Sequence, residues 1–112
     1  MRVIIAGSRG INDYAKVRDA VHRSGFPITR VLSGMARGVD TLAIRYAIKN
    51  GLPLDPFPAQ WSKWGRSAGY KRNVQMAQHA DALIAIWDGK SPGTRHMIEA
   101  ARARGLRLFV VS

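Results

Sequence analysis

The stretch that most constrains this chain is Ser33-Gly34-Met35-Ala36-Arg37-Gly38-Val39-Asp40. An apolar segment, Arg30-Val31-Leu32, runs into it. Beyond it, Val39, Leu42, Ala43, Tyr46 and Ala47 recur at helical spacing. A glycine-rich joint between a buried strand and an amphipathic helix belongs to α/β folds. There the helix start offers free N–H groups and a positive dipole end to an anion. Gly34 and Gly38 let the backbone turn tightly and approach a ligand. Arg37 adds a planar, permanently charged fork suited to phosphate.

The same alternation runs through the whole chain. Arg2–Ala6 reads as a first strand with a continuous apolar run, hence buried on both faces. Gly7-Ser8-Arg9-Gly10 follows as a loop. A first helix is capped by Asn12 or Asp13 and stopped by Gly25 and Pro27. Thr29–Leu32 is the second strand, and the helix after the opening motif ends at Gly51. Leu52–Pro58 carries three prolines, which places the third strand at a sheet edge. Gln60–Gly69 reads as a loop or lid, Tyr70–His79 as a helix and Ala82–Trp87 as a strand. A second glycine-rich turn, Asp88–Thr94, leads into a helix from about Thr94 to Arg104, and Leu106–Val111 closes the chain. About five strands and four helices in alternation give a single α/β domain over residues 1–112. It is a three-layer, doubly wound parallel sheet of order 3-2-1-4-5. Its switch point lies between the first and fourth strands. The rim there carries three loops, Gly7–Gly10, Ser33–Gly38 and Asp88–Thr94, and each holds glycine, a hydroxyl and a cation.

Composition narrows the function. Lys and Arg number 18 against 7 Asp and Glu, a formal charge of +11. Such a field draws phosphorylated metabolites and nucleic acid. With no cysteine, disulfides and thiolate zinc sites are excluded, and a reducing cytoplasm is the expected setting. The opening apolar run is too short for a signal-peptide core, no run is long enough to span a bilayer, and no membrane partner is expected. His22, His79 and His96 fall on different helices without metal-ligand spacing, so neither a metal nor a cofactor is expected. The chain lacks G-x-G-x-x-G, a P-loop and a nucleophile elbow.

At the rim, Ser8, Ser33 and Thr94 either cap their elements or bond phosphate. Arg37 and Arg95 sit near helix starts, where a cation opposes the dipole unless an anion lies between them. Asp40, in a first helical turn, caps, pairs with an arginine or bonds a ribose hydroxyl. Asp88 either faces ligand or starts a turn, and Glu99 is solvated or paired. Trp61, Trp64 and Tyr70 lie among Lys63, Arg66, Lys71 and Arg72. Such a set packs over the sheet edge, forms a subunit contact or stacks bases. A short open sheet with this loop leads us to expect a homo-oligomer.

Together, Gly7-Ser8-Arg9, Ser33–Asp40, Gly65–Gly69, Arg72-Asn73 and Trp87–Arg95 resemble the YspA-type branch of the SLOG superfamily. The resemblance implies a Rossmann-like fold that binds or senses a nucleotide-derived ligand, as in bacterial and phage systems. The implied ligand residues are Gly7, Ser8, Arg9, Ser33, Gly34, Arg37, Gly38, Asp40, Arg72, Asn73, Asp88, Gly89, Ser91, Gly93, Thr94 and Arg95. The Ser-Gly-x-Ala-Arg-Gly stretch and the Arg-Asn pair are also similar to the DprA family, which implies single-stranded DNA as an alternative partner. Gly93-Thr94 is similar to the last rim motif of the Lonely Guy phosphoribohydrolases. In that family a catalytic glutamate follows closely. Here Met97 stands three residues on and the nearest glutamate is Glu99. N-glycosidic hydrolysis is therefore the further alternative, with Asp40, Asp88 and Glu99 as its candidate carboxylates.

Overall fold

The computed structural model describes all 112 residues. Five parallel strands form one sheet in the order β3-β2-β1-β4-β5: β1 (Arg2–Gly7), β2 (Arg30–Ser33), β3 (Leu54–Pro56), β4 (Ala82–Ile86) and β5 (Arg107–Val111). The central strand β1 pairs Val3–Ile4 with Val31–Leu32 of β2 and Val3–Gly7 with Ala82–Ile86 of β4. Val3, Ile4 and Ile5 are fully buried, as a strand covered on both faces requires.

Right-handed crossovers decide which helix covers which face. From β1 the chain steps outward through α1 (Tyr14–Ser24) to β2, and through α2 (Val39–Lys49) to β3. These helices pack Val17, Val21, Val39, Ala43 and Ala47 on the face of Val3, Ile5 and Val31. The chain then crosses back through α3 (Trp61–Trp64) and α4 (Ala68–His79) to β4, and continues through α5 (Pro92–Ala103) to β5. Met76, Ala77, Met97, Ile98 and Ala101 cover the opposite face, on Ile4, Leu32 and Leu83. The pleat thus sorts odd and even residues of β1 into two cores.

Local chemistry sets the boundaries. Asp13 caps α1, accepting the Ala15 N–H at 3.0 Å, and Gly25 ends it in the left-handed region. The proline-flanked third strand lies at the edge as its prolines require. It is tied to β2 by Arg30 and Asp55 at 2.6 Å. Two readings need correction. Gln60–Gly69 is not an irregular loop: α3 makes one turn, Gly65 breaks it at φ 56°, a 3-10 turn spans Gly65–Ser67, and α4 begins at Ala68. The last helix begins at Pro92, before Thr94, because proline's fixed φ suits the first helical position and its missing N–H costs nothing there.

Gly7 brings the two halves together. A Cβ there would stand 2.1 Å from the Ile86 carbonyl oxygen and 2.7 Å from Val39 Cγ2. The strand end therefore meets α2 and β4 closer than any side chain allows. Gly7→Ala is expected to lower unfolding free energy by about 2–3 kcal/mol through this overpacking. Urea denaturation of the variant against wild type measures it.

Candidate functional site

The three glycine-rich loops meet at the carboxyl ends of β1, β2 and β4. Ser8 joins two of them through its backbone and hydroxyl. Its carbonyl accepts the Val39 N–H at 3.4 Å, and its Oγ accepts the Asp88 N–H at 3.0 Å and lies 3.1 Å from Ser91 Oγ. Gly38, at φ 74°, lets α2 start against that loop. A Cβ on it would lie 2.4 Å from the Ser8 carbonyl oxygen. Ser33 Oγ donates to the Asp40 carbonyl at 3.0 Å and accepts the Met35 N–H at 3.2 Å, which folds the second loop back on α2.

Between these loops and the α3–α4 segment lies a cavity of about 440 Å³. Its floor is Ala6 and Gly7. One wall is the start of α5, from Ser91 to Thr94, and another carries Trp61 and Tyr70. Arg9, Arg66 and Arg72 supply positive charge, and Asp40 is the one carboxylate that lines it.

Arg72 is held in place by the protein's own groups. Its Nη1 donates to the Gly34 carbonyl, and its Nε donates to Asn73 Oδ1 at 3.0 Å. Gly34 has to lack a side chain, since a Cβ would meet the Arg72 Nη1 at 2.6 Å and Asp40 Oδ2 at 2.8 Å. Asn73 is buried and ties α4 to α5. Its Nδ2 donates to the Gly93 carbonyl at 3.3 Å and lies 3.2 Å from His96 Nδ1. Tyr70 stacks on the His96 ring with centroids 4.3 Å apart. Burial pushes the His96 pKa down, against the pull of Glu99.

The first hydrogen bond of α5 runs from the Arg95 N–H to the Ser91 carbonyl at 3.1 Å. Ahead of it, Pro92 has no N–H, while Gly93 and Thr94 keep theirs free of the helix, at its positive end. Thr94 is 6% exposed, lines the cavity and makes no capping bond. Asp40 is equally buried, at 6% exposure. Burial raises its pKa, and this outweighs the Ala36 and Gly7 N–H groups and the positive charges of Arg72 and Arg9.

The model of the YspA, cpYpsA-related SLOG family (YAcAr) matches residues 1–64, more than half of the chain. This chain belongs to that family. The SLOG chain is also 37% identical over 115 residues to the Gene 61 protein of Mycobacterium phage D29, across 94% of this chain and 91% of that protein. The family match holds the first two rim loops and Trp61. The phage relative extends the likeness over most of the remaining rim.

Within this SLOG fold the expected site residues separate. Gly7, Arg9, Asp40, Arg72, Asn73, Ser91, Gly93 and Thr94 line the cavity. Ser8, Ser33, Gly34 and Gly38 are buried just behind it and shape the loops. Arg37, Asp88, Gly89, Arg95 and Glu99 lie outside its lining and are exposed. Asp88 turns its carboxylate onto its own loop, accepting the Lys90 and Ser91 N–H groups at 2.8 Å, and these bonds lower its pKa. Arg95 lies over the Trp87 ring at 5.7 Å. The converse holds for Arg66, Trp61 and Tyr70, which line the cavity although they were no part of the expected ligand set. Their interleaving of aromatics and cations was the signal for them. No three His, Asp or Glu side chains come together as a metal site, and no helix is long and apolar enough to cross a membrane.

The buried Asp40 has a consequence for stability. An acid whose folded pKa is raised binds more protons folded than unfolded between the ordinary value of 3.8 and its raised one. Wild-type stability therefore falls as pH rises through that window. Asp40→Asn, which removes the titration, is expected to melt no lower than wild type at pH 7, with a gap that closes near pH 3.8. Thermal melts of both proteins across pH check this.

Proposed function

We propose that this SLOG domain binds or senses a nucleotide-derived ligand, with phosphate and ribose, in the cavity at its carboxyl rim. The observation that carries this reading is the meeting of three groups in one 440 Å³ hollow: the free N–H groups of Gly93 and Thr94, the guanidinium groups of Arg9 and Arg72, and the aromatic wall of Trp61 and Tyr70. Phosphate fits the helix start and the arginines by charge and donor geometry. A base fits the aromatic wall by stacking.

Thermal shift against AMP, ADP-ribose, NAD and cyclic nucleotides tests it. A ligand at a hundredfold excess over its Kd adds about 2.7 kcal/mol of stability. Arg9→Ala is expected to weaken the ligand that shifts the melt at least roughly tenfold, as for loss of a charged hydrogen bond, without lowering the ligand-free Tm. A melt unmoved by the whole panel would falsify the reading.

One observation favours a second reading, single-stranded nucleic acid. Trp64 is exposed beside the cavity wall with Lys63 and Lys71 over its ring, at 5.0 and 4.4 Å. Aromatic faces among cations suit stacked bases and phosphates. This reading requires oligonucleotide affinity that drops steeply with salt. If the nucleotide is instead hydrolysed at its N-glycosidic bond, Asp40, the one carboxylate lining the cavity, is the first candidate, and product analysis with nucleoside monophosphates reads it. Self-association, supported by the exposed Ile48, Val74 and Val110, is read by native mass.

A further inference from the structure

Asp40 is an anion in a hollow that otherwise suits anions. It is 6% exposed and lines the cavity; Oδ2 accepts the Ala36 N–H at 3.2 Å, and the Gly7 N–H faces the same carboxylate at a longer reach. Arg72 comes no nearer than an ion pair's reach, since the three ion pairs within 4.0 Å all lie elsewhere. No buried side-chain oxygen lacks a partner, so the unbonded Oδ1 has to open onto the cavity. A buried carboxylate has about four acceptor sites and no donor to offer. Two backbone N–H groups do not fill that capacity, and what is left over faces the cavity and whatever enters it.

Chemistry limits what answers that oxygen. A phosphate oxygen beside it is repelled, so the anionic part of a ligand lies away from Asp40, toward Arg9 and the start of α5. What approaches Asp40 has to donate. The donors on a nucleotide away from its phosphate and base are the ribose hydroxyls. In a DNA strand the sugar has no 2′-hydroxyl, and the 3′-oxygen is esterified, so an internal nucleotide has neither.

Resting on the nucleotide reading above, we infer that Asp40 Oδ1 receives a free ribose hydroxyl. The cavity thus takes a ribonucleotide with its 2′,3′-diol unesterified and excludes nucleotides inside a DNA strand. Asp40 is then the specificity residue of the site, and Arg9 with the α5 start is its phosphate pole. The oligonucleotide surface considered for Trp64 lies outside the hollow on this account.

The test is calorimetric titration of the full chain with the four ribonucleoside 5′-monophosphates and their 2′,3′-dideoxy counterparts, alongside ADP-ribose and NAD. The expected result is a ribonucleotide that binds roughly tenfold or more tightly than its dideoxy form, the scale of a hydrogen bond to a charged group. In Asp40→Asn that ratio is expected to move toward one, while inorganic pyrophosphate binds no more weakly than to wild type. Equal affinity of ribo and dideoxy forms overturns the inference and leaves the nucleotide reading standing. Failure of every ribonucleotide, ADP-ribose and NAD included, overturns both. Equal affinity on wild type overturns the inference even if Asp40→Asn does not fold, and Asp40→Glu, which keeps the charge but moves the oxygen, then supplies the second variant, its ratio also expected to fall toward one.

Discussion

The site depends on how closely the end of β1 approaches the start of α2. Gly7 meets Val39 and Ile86 where no Cβ fits, and Gly38 meets the Ser8 carbonyl in the same way. The Val39 N–H, which the start of a helix would otherwise leave unbonded, finds its acceptor on Ser8. Because the first loop is held there, Ser8 Oγ can also hold the fourth-strand loop through the Asp88 N–H. Three loops from distant parts of the sequence are thereby fixed to one rim. Asp40 is carried in at the first turn of α2, with its carboxylate turned inward.

The second half of the chain contributes through a different kind of contact. Arg72 and Asn73 do not join α4 to the sheet by apolar packing. They hydrogen-bond to the backbone of Gly34, in the second rim loop, and of Gly93, at the start of α5. Met76 and Ala77, on the same helix, supply the apolar anchorage below. Helix α4 thus has a packed end in the core and a polar end that spans the hollow.

How much of this was legible in the sequence follows from the kind of signal. Strand order was legible because the prolines at 53, 56 and 58 admit only an edge, and continuous apolar runs at Val3–Ala6 and Ala82–Ile86 demand the centre. The glycine loops were legible as close approaches, although Gly34 makes room for a side chain and not for a ligand. Side-chain direction was not legible. Arg37 and Arg95 share their loops with lining residues, yet stand outside the hollow, Arg95 over the Trp87 ring. Asp88 went to its own loop because a carboxylate followed by glycine readily closes an Asx turn. The Gln60–Gly69 segment concealed one helical turn, since four residues are too few to display a period.

The arginines of the hollow differ in how far their positions are already decided. The Arg72 guanidinium is clamped by the Gly34 carbonyl and Asn73, and its rotamer freedom was surrendered when the chain folded. Arg9 is exposed and makes no such bonds, so a guest has to immobilise it, at an entropic cost of about 0.5–1.5 kcal/mol for a side chain of this kind. On the nucleotide reading proposed above, discrimination between guests falls to the stiff inner residues Asp40 and Arg72. On the same reading the loose outer arginine is suited to capture, its long reach extending the radius over which a passing anion is first felt.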